Sequence, residues 1–417
     1  MNNRSPLRLP LRGREILFFL MILTACFTLN VTLNAQLAVK GKTIYTMAGE
    51  PIQNGIILIK NNKIEQIGNE NQITIPDGYQ IIEGNIITPG LIDAHSVVGL
   101  SGIYNYTHDQ EQLEKSDAIQ PELRAIDAYN KADKLVDFLL SLGVTTIHTG
   151  HAPGALASGQ TMIVKTYSES FTDYVIDSVS MVAFTLGNSV KSNYEKPGTR
   201  SKGVAMLRQE FFKAIEYGEK INKNKNDESP ARDLKMETLL KVLDGELPAL
   251  FSVNRAVDIM AALRLAEEFK FKLVLDGVAE AYLVINELRK INYPIILHPT
   301  MVRAYGDYKN ASFETAANLY KEGFKFALQS GYESYVPKTR VVLFEAAMAN
   351  AYGLPFETAL ASITTNAAEL LGISDRVGSL EPGKDADIVI FDNNPFEYTS
   401  HVCKVIVNGK LVKEECF

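Results

Sequence analysis

Two short apolar runs in the middle of the chain decide the fold: Leu273-Val274-Leu275-Asp276-Gly277 and Ile295-Ile296-Leu297-His298. Each run reads as a β-strand. Residues 254–269, before the first run, and residues 279–291, between the two runs, space their apolar side chains with the period of a helix. Strands that alternate with helices in this way indicate a parallel α/β sheet or barrel.

The same alternation continues outwards in both directions. Val144–His148 and Phe324–Leu328 are predicted strands, and residues 339–352 and 355–371 are predicted helices. Residues 89–377 are long enough for eight strand–helix units, so the economical closure of this sheet is a (β/α)8 barrel.

The two ends of the chain have a different pattern, typical of β-strands joined by tight turns. We predict that residues 36–88 and 378–417 pair with each other and form a small β-sandwich into which the barrel is inserted. Cys403 and Cys416 flank a hairpin that turns at Asn408-Gly409. A regular register places Cys403 opposite Glu414, so we expect two thiols here and no disulfide.

The first 35 residues have the pattern of a secretory signal peptide: a start with four arginines, an apolar stretch at 16–29 and Ala35 before polar sequence. We therefore expect an exported protein, periplasmic or secreted. Leu23-Thr24-Ala25-Cys26 also resembles a lipobox, which would anchor the protein through a lipid on Cys26. Simple cleavage is favoured because the residues after Cys26 stay apolar, whereas a lipoprotein linker is usually polar.

Composition limits the partners. The net charge is −7 and the pI about 5.6, which argues against non-specific binding to nucleic acid. With 46% hydrophobic residues, the chain can bury a large core.

The run Pro89-Gly90-Leu91-Ile92-Asp93-Ala94-His95 resembles the first metal-binding strand of the amidohydrolase superfamily. Residues 363–372 and 376–387 resemble the segment in which that family returns from the barrel to the sandwich. The resemblance covers nearly all of the chain after residue 35 and is strongest to the imidazolonepropionase-like group. It implies hydrolysis of non-peptide C–N bonds, with one or two metal ions held at the carboxyl ends of the barrel strands.

The chain departs from the family at most of the metal-binding positions. The family's first strand ends His-x-His, and here His95 is followed by Val97, which has no lone pair to donate. Other expected ligand positions carry Ser252, Asn254, Gly277 and Gly331. Gly331 stands where the family has an aspartate that serves as general base. These departures predict that metal-dependent hydrolysis is lost or weakened.

Candidate site residues remain. His95, His148, His151 and His298 follow or end predicted strands and should face the barrel mouth, where such barrels place their sites. They are either ligands of a rewired site for zinc or another divalent metal, or polar groups that hydrogen-bond loops, and we favour the second interpretation. The catalytic candidates are Asp276 and Glu333. Ser158 and Lys165 are interpreted as structural rather than as a nucleophile and a catalytic lysine.

Two further hypotheses stay open beside lost hydrolysis. One is an active amidohydrolase or dipeptidase-like enzyme with the rewired metal site. The other is a non-catalytic protein that binds a small molecule at the barrel mouth or works as the partner of an active paralogue. A homo-oligomer is compatible with each of them.

Overall fold

The computed structural model describes residues 36–104, 106–223, 230–302, 304–331 and 341–417. The predicted leader, Cys26 and Glu333 lie outside these ranges. In the part of the chain that is described, no helix is long and apolar enough to cross a membrane.

Strands and helices alternate through the middle of the chain and strands dominate its ends. The strands are β1 Leu37–Ile44, β2 Ile52–Lys60, β3 Lys63–Asn69, β4 Gln80–Pro89, β5 Leu91–Ser96, β6 Val144–Thr149, β7 Ala157–Gln160, β8 Met162–Lys165, β9 Val175–Asp177, β10 Val182–Thr185, β11 Ala249–Val253, β12 Leu273–Gly277, β13 Ile295–Leu297, β14 Phe326–Leu328, β15 Ile388–Phe391, β16 Val402–Val407 and β17 Lys410–Lys413. The α-helices are α1 Lys134–Ser141, α2 Asn188–Asn193, α3 Arg200–Lys223, α4 Leu234–Leu243, α5 Ala256–Phe269, α6 Ile285–Ile291, α7 Thr315–Lys321, α8 Val342–Ala351, α9 Phe356–Ser362 and α10 Thr365–Leu370.

The chain ends share one seven-stranded sheet in the order β17-β16-β15-β4-β1-β2-β3. The two ends of the chain meet where β15 pairs antiparallel with β4. The sheet curls so that the turn after β16 lies against the turn after β2. The closeness of the two turns is shown at Gly409, where a β-carbon would come 3.0 Å from the Cα of Asn62. Strands from both chain ends therefore form one β-rich unit, built on a single sheet.

The prediction of two thiols in the last hairpin is wrong, because Cys403 and Cys416 form a disulfide. The predicted register assumed a regular ladder. In the structure Ile406 pairs with Leu411, but Val405 pairs with Lys413. Val412 is thus the extra residue of a β-bulge, which shifts the end of the chain and brings Cys416 to Cys403.

Within the described residues the barrel consists of seven parallel strands and two short consecutive strands that run antiparallel to them. Strands β10 to β14 form a parallel ladder, and β5 pairs parallel with β6. The gap between β6 and β10 is filled by the consecutive strands β7 and β8, which run antiparallel to their neighbours. A bridge between Ser96 and Gly331 joins the other two edges. The eighth place in the predicted (β/α)8 barrel is therefore held by two consecutive antiparallel strands, β7 and β8.

Two predicted helices are shorter than expected. The segment predicted as a helix over 355–371 is two helices, α9 and α10, that break at Ile363-Thr364. The carbonyl of Ile363 accepts a hydrogen bond from the amide of Ile92 in the barrel wall, so this backbone is pulled out of the helix. The segment 279–291 is a 3₁₀ turn, Ala281–Leu283, followed by α6.

Because side chains alternate along each strand, the polar side chains that point into the barrel can be identified. Leu250 and Val274 belong to the apolar cluster inside the barrel. Side chains two residues apart on a strand share a face, so Ser252 and Asp276 also point inwards, one layer nearer the carboxyl ends of the strands. That layer contains the candidate site.

Candidate functional site

A buried carboxylate, Asp276, occupies the centre of the polar layer and accepts hydrogen bonds from three other strands or their ends. The Ser252 hydroxyl donates to its Oδ2, and the Gln329 amide donates to its Oδ1. The Nδ1 of His95 lies 3.1 Å from the same Oδ1. All four residues are buried. Since Ser252 is bonded to the carboxylate and not to a histidine, the group does not have the geometry of a serine nucleophile with its base.

His148 lies beside His95, with 5.5 Å between the ring centroids, and both of its ring nitrogens are engaged. Its Nδ1 lies 2.7 Å from the carbonyl oxygen of Ala94, which can only accept, so Nδ1 carries the proton. Its Nε2, 2.6 Å from the Thr161 hydroxyl, is then the acceptor. Burial lowers the pKa of His148 to about 3, so the ring is neutral.

A second carboxylate, Asp93, ties the first barrel strand to the end of the last one. It accepts hydrogen bonds from the backbone amide of Ser330, at 3.1 Å, and from the Ser330 hydroxyl. Burial raises the pKa of Asp93 to about 6. Neither Asp93 nor Ser330 was a candidate at the sequence level.

His298 sits at the end of β13 against Gly331. Its Nδ1 lies 3.8 Å from Oε2 of Glu345, which is longer than a hydrogen bond, and the same oxygen accepts a hydrogen bond from the backbone amide of Thr300 at 2.9 Å. Gly331 has a φ of +88°. Among the described residues, His298 thus lies beside Glu345 and apart from the side chains that hydrogen-bond Asp276 and His148.

His151 is separate again. It lies in the loop after β6, 5% exposed, with its ring packed against Gly159. Among the described residues neither of its ring nitrogens has a hydrogen-bond partner, and it makes no bond to His95 or His148. Burial lowers its pKa to about 4.

Lys165 and Ser158 lie outside the Asp276 group. The Lys165 ammonium pairs with Asp387 and, at 3.2 Å, with Asp385, so it joins the barrel to the β-rich unit. Ser158 is buried, and its hydroxyl has no hydrogen-bond partner among the described residues, so no base is placed to activate it.

The donor set does not fit a catalytic zinc ion, which normally takes three protein ligands and keeps one position open. His148 has no nitrogen left for a metal, and both oxygens of Asp276 already accept hydrogen bonds. Val97, where the family has its second histidine, is buried and apolar. Within the described ranges no three His, Cys, Asp or Glu side chains are grouped to hold a metal ion.

A crystal structure of an amidohydrolase from Thermotoga maritima MSB8 matches this fold over 91% of this chain and 100% of that chain, with a TM-score of 0.84 and 30% sequence identity. The chain belongs to the amidohydrolase superfamily. Residues 280–412 of this amidohydrolase-superfamily chain also match the Amidohydrolase family directly. The barrel and β-rich unit expected from the resemblance are therefore confirmed.

Among curated proteins, this amidohydrolase-superfamily chain is similar to hydrolases. An imidazolonepropionase from Fusobacterium nucleatum is 23% identical over 86% of this chain and 91% of that protein. The amidohydrolase tasK from Hapsidospora irregularis is 25% identical over 85% of this chain, but this chain spans only 39% of the length of tasK. The expected kinship with the imidazolonepropionase-like group is confirmed.

Proposed function

We propose that this protein is an exported member of the amidohydrolase superfamily that has lost metal-dependent hydrolysis and uses its barrel as a non-catalytic scaffold. The observation that carries the proposal is the hydrogen bonding of Asp276, whose carboxylate is bound by Ser252, His95 and Gln329. These protein donors take up three of the about four lone-pair sites of the carboxylate, so a metal ion would have to compete with them. The scaffold's ligand, in this proposal, is a small molecule at the barrel mouth or an active paralogue.

The free energy of this arrangement opposes metal binding. A metal ion at Asp276 would have to displace donors that are themselves buried, and each displaced donor would be left unsatisfied at a cost of about 1–3 kcal/mol. The neighbouring positions could not compensate, since Ser252 and Gly277 bring no imidazole. Metal binding would therefore break more interactions than it forms.

The disulfide supports export. Disulfides persist in oxidising compartments and are rare in the cytosol. Cys403 and Cys416 are bonded to each other, and the segment before residue 36 has the composition of a signal peptide. A thiol count on the protein isolated from the periplasm or medium tests this part: no reactive thiol at Cys403 or Cys416 is expected, whereas recovery only from the cytosol with two reactive thiols would contradict it.

The main experiment is the metal content of residues 36–417 after dialysis against zinc and, separately, against manganese. Far less than one retained metal ion per chain is expected, since the ligand set is incomplete. His95→Ala and His148→Ala should leave the metal content unchanged. The matched control is His108→Ala, which removes an exposed histidine from the segment that follows β5.

A tightly held metal ion in the parent protein that is absent from His95→Ala or His148→Ala, but not from His108→Ala, would overturn the proposal. It would favour the alternative, an active amidohydrolase or dipeptidase-like enzyme with a rewired site. Light scattering on the same samples tests whether the protein forms the homo-oligomer that is compatible with each of these hypotheses.

A further inference from the structure

A cavity of about 320 Å³ lies away from the Asp276 group, between helices α3 and α5. Its wall is completed by the segment that follows β10, including Leu186 and Val190. None of the residues that bind Asp276 lines it. Its volume is at the lower end of the range for small-molecule pockets in proteins.

The cavity collects positive charge in a chain whose net charge is −7. Four basic side chains and a single acidic one line it: Lys191, Arg200, Arg208, Arg264 and Asp258. This concentration opposes the overall charge and creates a local positive potential that attracts anions.

Two of these basic side chains are already neutralised. The Arg200 Nε donates to Asp258 at 2.7 Å, and Arg208 forms a two-pronged pair with Glu268 at 2.7 Å for each contact. These pairs hold two guanidinium groups in fixed positions on the wall.

The other two basic side chains have no such partner. Within the described part of the chain, neither Lys191 nor Arg264 makes an ion pair or a side-chain hydrogen bond, and both are exposed. They are the cations that remain available to a ligand.

Much of the rest of the wall is apolar, beside the hydroxyl side chains of Thr199 and Ser201. Val190 comes from α2, Val204 from α3, and Val257 and Ala261 from α5. Val257, Ala261 and Arg264 follow the i, i+4, i+7 spacing that places side chains on one face of a helix. The apolar surface and the guanidinium group of Arg264 therefore lie along the same groove.

We propose that this cavity is a binding site for a small carboxylate with an apolar chain. The carboxylate binds Arg264 and Lys191, and the chain packs on Val204, Val257 and Ala261. Arg fits a carboxylate with two parallel hydrogen bonds, and the apolar wall gains free energy by covering the chain. The site needs neither a metal nor the barrel mouth, so it is independent of the function proposed above.

The test is isothermal titration calorimetry of residues 36–417 with octanoate, octan-1-ol and inorganic phosphate at one ionic strength. Octanoate should bind, with octanol and phosphate at least about tenfold weaker, because each lacks one of the two interactions. Arg264→Gln and Lys191→Gln should each weaken octanoate binding by about three- to tenfold. Lys202→Gln, which removes an exposed lysine of α3 outside the cavity, is the matched control and should bind as the parent does.

Ala261→Phe fills the apolar part of the groove without changing charge and should abolish octanoate binding while thermal unfolding shows that the variant is folded. Equal loss in Lys202→Gln would mean that only net charge matters and would overturn the site. Phosphate binding as tight as octanoate would overturn the apolar half of the proposal, and no octanoate binding to the parent would overturn it entirely.

Discussion

The imidazole of His298 occupies the space into which a side chain at Gly331 would point. A β-carbon on Gly331 would lie 2.7 Å from both Cε1 and Nε2 of the ring, closer than real contacts of this kind allow. Gly331 also has a φ of +88°, a conformation that residues other than glycine rarely adopt. The position at which the family resemblance leads one to expect an aspartate is therefore closed by both sterics and backbone geometry.

Gly331→Asp is accordingly predicted to destabilise the protein by about 2–4 kcal/mol, through backbone strain and the clash with His298. Urea unfolding monitored by circular dichroism measures the change. It should not create metal binding by itself, because His298 must move before the carboxylate can enter.

The double variant Gly331→Asp with His298→Ala separates the two causes. It should recover part of the lost free energy, since the clash is removed while the strain remains, and the coupling energy should exceed about 0.5 kcal/mol. Strictly additive effects would contradict the contact.

The hydrogen bonding of Asp276 gives a second prediction. In Asp276→Asn one oxygen becomes an amide nitrogen: in place of Oδ1 it would face the amide of Gln329, whereas in place of Oδ2 it would face the Ser252 hydroxyl, which would have to turn from donor to acceptor. Either a donor–donor contact with Gln329 or the loss of the charged acceptor of three buried hydrogen bonds should cost about 2–4 kcal/mol of unfolding free energy. Asp307→Asn, at the half-buried carboxylate that accepts from Asn188, is a control expected to cost about 1 kcal/mol. Equal losses in the two variants would mean that the Asp276 network is not specially constrained.

The sequence predicts much of this site but not its bonding. The apolar runs before Asp276 and His298 identify strand ends, and the strand ends of a barrel meet at one face. The sequence therefore predicts that these two residues lie at the same end of the barrel. Their hydrogen-bond partners cannot be predicted in this way, because no sequence pattern distinguishes Gln329 or Thr161 from other polar residues near strand ends. Each becomes a partner only through the side chain that faces it in the folded barrel.

The parts of the fold that sequence reasoning missed depend on single residues. Val412 becomes a bulge, and that one-residue shift decides whether Cys416 reaches Cys403. The run 157–165 has the composition of any barrel strand, and only its pairing with β6 and β10 shows that it runs antiparallel. Likewise Gly277 resembles a simple loss of a ligand, but its φ of +83° is a backbone conformation that residues other than glycine rarely adopt.

A third prediction concerns the ion pair between Lys165 and Asp387, which is buried between the barrel and the β-rich unit. Lys165→Met leaves the carboxylate of Asp387 buried without its counter-ion, and should cost about 3–5 kcal/mol. The double variant Lys165→Met with Asp387→Asn should recover part of this loss. Lys213→Met breaks a pair with Glu210 on the surface of α3 and should cost less than about 1 kcal/mol. A small effect at Lys165, similar to that at Lys213, would show that the buried pair does not hold the two units together.

The last prediction is a pH dependence caused by His151. Its pKa is about 4 in the folded protein, against an ordinary value of 6.5. As the pH falls from 6.5, the unfolded chain takes up a proton at His151 that the folded protein does not accept until about pH 4. Protonation therefore favours the unfolded state, and the free energy of unfolding should fall by about 3 kcal/mol across this window from His151 alone.

His148, with a pKa of about 3, acts in the same direction, whereas Asp93, with a pKa raised to about 6, acts in the opposite one. Below pH 6 the folded protein takes up a proton at Asp93 before the unfolded chain does, and so gains stability. The parent's total slope thus mixes these groups, but the difference between the parent and His151→Leu isolates one of them. Urea unfolding at pH 4 to 7 should show a shallower acid loss in His151→Leu and an unchanged one in His108→Asn, at an exposed histidine. Parallel curves for all three proteins would mean that His151 titrates in the folded protein as it does in water, and that its burial against Gly159 is not maintained in solution.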